Sequence, residues 1–230
     1  MRVLIFGVTG NSGRFIADHF YQKGYEVWGV GRRNNLKNMN YINYFQGDIT
    51  DKNLFIQFKK EFEIVVNLAG IQPSIMETSE KTDINKTLRQ YVNTNILGTY
   101  NVLEYVMNHD VETYIYTTTH RDYELYWDNE TRLKNSMPPA INYKGDHAMY
   151  AISKVTGQMM GDYMIPLSNT RLFNLRLPMI FMIPESPYYL SNGKKTLMPF
   201  LKIIKAAIKE ERLEIWGDPG LKRDYVYIEN

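Results

Sequence analysis

The 230-residue chain contains no cysteine, so disulfides and thiolate metal sites are excluded, and a reducing compartment suits it. Net charge is almost as scarce. With 27 Lys and Arg against 25 Asp and Glu, the formal charge is +2. That balance offers no long-range attraction to nucleic acid or to an acidic membrane surface. No apolar run reaches the roughly 20 residues that a bilayer-spanning helix needs. The opening run, Arg2-Val-Leu-Ile-Phe6 before a glycine, lacks the longer apolar core and small-residue cleavage site of a signal peptide, so the cytoplasm is the expected location. The four histidines, His19, His109, His120 and His147, have no metal-ligand spacing, and no metal is expected. Internal repeats and low-complexity tracts are missing too.

What remains is a globular pattern. The hydrophobic fraction of 44% supports a buried core, and the length suits one domain and part of a second. Short apolar runs at Val3–Phe6, Glu26–Val30, Ile64–Leu68, Tyr114–Thr117 and Leu172–Leu177 alternate with helix-like segments near Ser12–Lys23, Lys52–Lys60, Asp83–Asn108 and Ala148–Ile165. This alternation predicts an α/β fold, a doubly wound parallel sheet of Rossmann-like type covered on both faces. After about Asn174 the regularity fades. Pro178, Pro184, Pro187 and Pro199 break the chain around one helix, Leu201–Lys209. The expected organisation is a dinucleotide-binding domain over residues 1–177 and a partial substrate-binding lobe over 178–230.

The first strand runs into Gly7-Val-Thr-Gly10-Asn11-Ser12-Gly13, which opens a predicted helix. Gly7 allows a tight turn, Gly10 lets backbone amides approach a pyrophosphate, and Gly13 lets helix pack on strand. The helix N-terminus, with Asn11 and Ser12, offers free N–H groups to phosphate. Alone, the turn is equally an ordinary glycine loop. The second strand ends in Val30-Gly31-Arg32-Arg33, without the acid that would accept bonds from a ribose 2′-hydroxyl. Two guanidiniums suit a 2′-phosphate, so NADP is the first choice of cofactor and NAD the second. A solvated basic loop is the plainer alternative. Asp48-Ile49, at the end of the third strand, offers a carboxylate and a backbone N–H to an adenine edge, or else a plain loop acid.

Tyr150 and Lys154 stand at i and i+4 on a predicted helix and share a face. A neighbouring ammonium favours phenolate, so Lys154 is expected to lower the Tyr150 pKa and fit it for acid/base work. Among 18 tyrosines such a spacing also arises by chance. Thr119, at the end of a strand that reads Tyr114-Ile-Tyr-Thr117-Thr118-Thr119, could hydrogen-bond a substrate oxygen, although Thr is common in strands anyway. His120 follows it and could line the same site.

Taken in order, these motifs resemble the extended short-chain dehydrogenase/reductase family, in its nucleotide-sugar epimerase/dehydratase group. Gly7/Gly10/Gly13, Asp48-Ile49, Asn67-Leu68-Ala69-Gly70, Asn95-Ile-Leu-Gly98-Thr99, Thr119, Tyr150/Lys154, Leu175-Arg176 and the segment from Trp216 to Ile228 carry the resemblance, which covers nearly the whole chain. It implies that Leu68, Ala69, Gly70 and Asn95 lie beside the cofactor. It implies that Thr119, Tyr150 and Lys154 are catalytic, Lys154 also binding the nicotinamide ribose. It further implies that Arg223 contacts a nucleotide diphosphate. The substrate would be a nucleotide-linked sugar, and a homodimer the assembly. Dehydrating members carry Asp-Glu after the catalytic Thr, whereas this chain has His120-Arg121. Epimerisation or keto reduction is therefore expected ahead of dehydration. Met179-Ile-Phe-Met-Ile183 replaces the family's Asn-x-Tyr-Gly-Pro, and the long stretch from Thr119 to Tyr150, with Tyr126, Trp127, Arg132 and Lys134, suits a substrate-specific loop. By the same resemblance, the chain is expected to continue past Asn230. The rival of another class is a non-catalytic dinucleotide-binding regulator of the same fold. Intact Thr119, Tyr150 and Lys154 argue against it.

Overall fold

The computed structural model describes residues 1–34, 39–72, 88–128, 130–144, 147–183, 187–191, 194–213, 220 and 224–229. Six strands form one parallel sheet: β1 (Arg2–Phe6), β2 (Glu26–Gly31), β3 (Asn43–Gln46), β4 (Ile64–Asn67), β5 (Thr113–Thr119) and β6 (Arg171–Leu177). Their order is β3-β2-β1-β4-β5-β6. Register runs Val3 to Val27 and Ile64 on either side of β1, and Thr119 to Leu177 at the far edge.

Alternation along β1 builds the core on both faces. Leu4 and Phe6 point into a cluster with Leu54, Phe58, Phe62, Val102 and Tyr114, while Val3 and Ile5 join Val8, Ala17, Val27 and Val66 on the other side. Helix α1 (Gly13–Gln22) covers the second face through Ala17. Helices α3 (Thr99–Met107) and α4 (Ala148–Met164) cover the first. A strand buried on both sides needs apolar residues at successive positions, as Val3–Phe6 in β1 and Ile64–Val66 in β4 provide.

The expected helix near Lys52–Lys60 shrinks to α2 (Asn53–Ile56). Leu54, Phe58 and Phe62 keep helical spacing, yet they serve an aromatic cluster with Phe6 and Phe55 rather than one face of a longer helix. The expected helix at Asp83–Asn108 splits, with π-helical turns at Tyr91–Gly98 leading into α3. Its residues before 88 lie outside the described segments.

Strand order reverses between β1 and β4, so the connections leave their carboxyl ends in opposite directions and open a crevice there. Beyond β6 the pieces are small. β7 (Met179–Phe181) pairs with β10 (Tyr225–Tyr227), β8 (Tyr188–Ser191) pairs with β9 (Lys194–Leu197), and α5 (Pro199–Ile208) stands among them.

Candidate active site

The glycine turn sits at the carboxyl end of β1, against the end of β4. Gly7 has φ +81°, and a Cβ there would lie 2.8 Å from the Ala69 backbone nitrogen. A Cβ on Gly13 would lie 2.5 Å from the carbonyl oxygens of Gly7 and Val8. The Gly10 N–H closes the turn on the Gly7 carbonyl at 2.9 Å. Ser12 stands at the N-cap of α1 without a side-chain bond to the helix, and Asn11 is exposed. The first-turn N–H groups are thus left to a ligand, which fits a dinucleotide pyrophosphate.

Leu68 donates its N–H to the Phe6 carbonyl, and Ala69 donates to Asn67 Oδ1, so the Leu68-Ala69-Gly70 segment is fixed alongside the turn. At the other end, Arg32 is largely exposed, with its guanidinium 3.9 Å from Asp48 Oδ2. The other Asp48 oxygen accepts from the N–H and hydroxyl of Thr50, both at 3.0 Å. Arg33 is exposed, and its carbonyl accepts from the Tyr44 hydroxyl. The Ile49 side chain is buried beneath Gly98, and its carbonyl accepts from Asn101 at 2.8 Å.

Asn95 is placed as a clamp. Its Oδ1 accepts from the Ile71 N–H at 2.7 Å, while its Nδ2 donates to the Ile71 carbonyl at 3.2 Å and to Ser153 Oγ at 2.9 Å. Its amide ties the exit of β4 to α4, beside the Leu68-Ala69-Gly70 segment. Ser153 escaped the sequence reading because its partner is 58 residues away.

Thr119 ends β5, the strand against which the helix carrying Tyr150 and Lys154 packs. It caps the following 3₁₀ segment, His120–Tyr126, accepting the Arg121 N–H at 3.2 Å. Its hydroxyl also lies near enough to the Tyr150 phenol to favour the phenolate. The Tyr150 ring packs with Ile71, Tyr91 and Met149. Lys154 is buried, and its Nζ sits 4.3 Å from the Tyr116 ring centroid. Burial alone pushes the Lys154 ammonium down to about 7.

The Tyr150 phenol departs from expectation. Burial raises it above its ordinary value, while the Thr119 hydroxyl and the Arg121 charge pull it back. The sequence reading gave the depressing role to Lys154. The cation acting on the phenol here is Arg121, whose position after Thr119 was the available signal.

Gly157 fixes how closely α4 approaches β5. A Cβ there would fall 2.3 Å from the Tyr116 hydroxyl, on a fully buried ring. Gly157→Ala is therefore expected to lower stability by about 1–3 kcal/mol despite the better helix propensity of Ala. Urea unfolding checks this, and an unchanged midpoint would show that the ring yields.

His120 donates its Nδ1–H to the Leu177 carbonyl, 3.1 Å away, and stacks on Trp127 with centroids 5.2 Å apart. Asp122, fully buried, takes Arg176 Nε at 3.1 and 2.9 Å on its two oxygens, which ties the 3₁₀ segment to β6. Arg132 and Lys134 are exposed, and Arg223 lies outside the described residues. Among the described residues, no cluster of His, Asp and Glu could hold a metal, and no helix is long and apolar enough to cross a membrane.

The comparisons with known proteins agree with this geometry. Protein CapI of Staphylococcus aureus is 24% identical over 247 residues, covering 100% of this chain and 66% of the relative. A dTDP-glucose 4,6-dehydratase of Mycobacterium tuberculosis is 30% identical over 122 residues, covering 52% of this chain and 35% of the relative. The chain thus spans at most 66% of these curated relatives. Among solved structures, the Thermus thermophilus UDP-glucose 4-epimerase in complex with NAD shares the fold at TM-score 0.74 and 22% identity, over 100% of this chain and 71% of that one. The sequence model of the NAD dependent epimerase/dehydratase family matches residues 3–230. A glycine turn open to a pyrophosphate, a Thr–Tyr pair beside a buried lysine and that match lead to one conclusion: this chain belongs to the NAD-dependent epimerase/dehydratase family.

Proposed function

We propose that this chain carries out NAD(P)-dependent epimerisation or keto reduction of a nucleotide-linked sugar. The observation that carries the reading is Thr119 at the carboxyl end of β5, with Tyr150 and buried Lys154 one turn apart on the helix packed against that strand. Bound at the glycine turn, the dinucleotide would supply a nicotinamide that accepts or returns a hydride. Tyr150 takes the proton from the sugar hydroxyl or gives it to the keto oxygen. Thr119 orients that oxygen and the phenol together. Lys154 supplies the ammonium that binds the nicotinamide ribose. Its burial costs the apo fold, which is the mark of a group held for chemistry rather than for stability.

His120 and Arg121 stand where dehydrating members have an acidic pair, so oxidation and reduction at one carbon are favoured over water elimination. Residues 1–177 serve the dinucleotide and 178–230 belong to the substrate lobe, with Arg223 on the nucleotide diphosphate. We place the protein in the cytoplasm as a homodimer. A panel of nucleotide sugars, followed by chromatography for inverted or reduced sugar, tests the reaction. A 4-keto-6-deoxy product would overturn the preference.

For the cofactor, Arg32 and Arg33 support NADP ahead of NAD. Both side chains are exposed at the end of β2, and there Asp48 faces Arg32. Replacing both arginines with Ala is expected to weaken NADP binding by about tenfold to a hundredfold and leave NAD binding nearly unchanged. Calorimetry decides. Tighter NAD binding by the unaltered protein would end the preference.

A further inference from the structure

We infer that Tyr44 and Gln46, on β3, are positioning residues for the adenosine 2′-phosphate of NADP, fixing the backbone of Arg32 and Arg33 so that both guanidiniums can close on one anion. The inference rests on the proposed preference for NADP. Three successive carbonyls carry it. The Gly31 carbonyl accepts from the Gly47 N–H at 2.9 Å, one step past the Gly31–Gln46 pair of the β2–β3 ladder. The Arg32 carbonyl accepts from Gln46 Nε2 at 3.2 Å. The Arg33 carbonyl accepts from the Tyr44 hydroxyl. Side chains of β3 thus take over from the backbone ladder and hold the arginine pair beside the sheet.

The sequence permits this at two points. Tyr44 and Gln46 stand two residues apart in a strand and so project from one face. Gly31 clears the path of the Tyr44 side chain. A Cβ there would lie 3.0 Å from the Tyr44 hydroxyl and 2.6 Å from Thr9 Oγ1. Thr9 belongs to the glycine turn, so Gly31 lies within reach of both that turn and the arginine pair. A dinucleotide with its pyrophosphate on the turn brings its adenosine ribose to the end of β2.

The clamp has a physical use. Both arginine side chains are exposed, and ordering them on a loose loop would spend binding energy. Carbonyls held in advance remove part of that cost. Because the clamp uses main-chain oxygens, the guanidinium N–H groups stay available to a phosphate. The Tyr44 ring is half-buried against the cluster of Val8, Met39 and Ile42, whereas Gln46 is exposed. The Tyr44 bond is the better sheltered from water, so it carries the larger share.

Calorimetry of NADP and NAD tests the inference. Tyr44→Phe removes the hydroxyl and keeps the ring, and Gln46→Met removes the amide and keeps the stem. Together they are expected to weaken NADP binding by about tenfold and NAD binding by less than about twofold. Adenosine 2′,5′-bisphosphate against AMP should show the same contrast without the nicotinamide half. In protein that already carries Arg32→Ala and Arg33→Ala, the two substitutions should change NADP affinity no further, because they act through the arginines. Equal losses of NADP and NAD would show that the clamp only supports the fold, and would overturn the inference. A loss that persists in the Ala background would put Tyr44 or Gln46 on the phosphate itself, and would overturn it too. Should the unaltered protein bind NAD more tightly than NADP, the cofactor reading fails. Should it prefer NADP through its arginines while the Tyr44 and Gln46 variants bind it normally, this inference alone fails.

Discussion

Tyr150→Phe is expected to lower turnover of the accepted nucleotide sugar by about a hundredfold to ten-thousandfold, the usual contribution of a positioned acid/base. The substitution removes one oxygen and leaves the ring where it is, packed with Ile71, Tyr91 and Met149. The glycine turn, the Ala69 segment and the Asn95 clamp do not touch that oxygen. Cofactor affinity should therefore be almost unchanged, and the loss should fall on kcat. Steady-state kinetics beside calorimetry of the dinucleotide read both quantities. Near-normal kcat would show that another group moves the proton.

Lys154→Met should act in opposite directions on activity and stability. Turnover should fall by about a hundredfold or more, since both the ribose contact and the ammonium are removed. The apo fold should become more stable. Methionine retains an unbranched apolar stem and carries no charge into the core. The pH dependence follows from where the proton is held. Lysine ordinarily titrates near 10.5, and Lys154 in the fold is pushed to about 7. Between those values the unfolded chain binds a proton that the folded chain has released. Folding stability from this residue therefore rises with pH through that window. Below it, the fold carries the full cost of a buried ammonium. The gain in Tm from Lys154→Met should thus be largest below pH 7 and shrink toward pH 10, each kcal/mol raising Tm by about 2–4 °C in a chain of this size. A variant less stable than the parent at pH 6 would mean that the ammonium has a partner that repays its burial.

Spacing made the central features readable in the sequence. A glycine turn after a strand, and Tyr150 with Lys154 one helical turn later in the chain, are local patterns whose chemistry follows from position alone. Their meeting at one sheet edge follows from the strand order, which alternation predicts. What stayed hidden depends on pairs far apart in sequence. Nothing local to Asn95 shows that Ile71 and Ser153 share its amide. Asp122 gave no sign that Arg176 would meet it across the sheet edge. Periodicity also misled in one place, because Leu54, Phe58 and Phe62 repeat as a helix would while the chain after Ile56 does not continue one. The burial that raises the Tyr150 phenol is likewise a product of the whole fold rather than of local spacing. An i, i+4 lysine shares a helix face with the phenol, but a face is wide enough for Nζ to settle over Tyr116 instead.

Deuterium tracing tests the account most directly. UDP-glucose, UDP-glucuronate, dTDP-glucose and GDP-mannose, each deuterated at sugar C4, are incubated with the protein and oxidised NAD or NADP, and the dinucleotide is weighed by mass spectrometry after denaturation. The account predicts deuterium on the dinucleotide with at least one of these sugars, and none in Tyr150→Phe. Deuterium that stays on every sugar, with dinucleotide bound, would contradict hydride chemistry at this site.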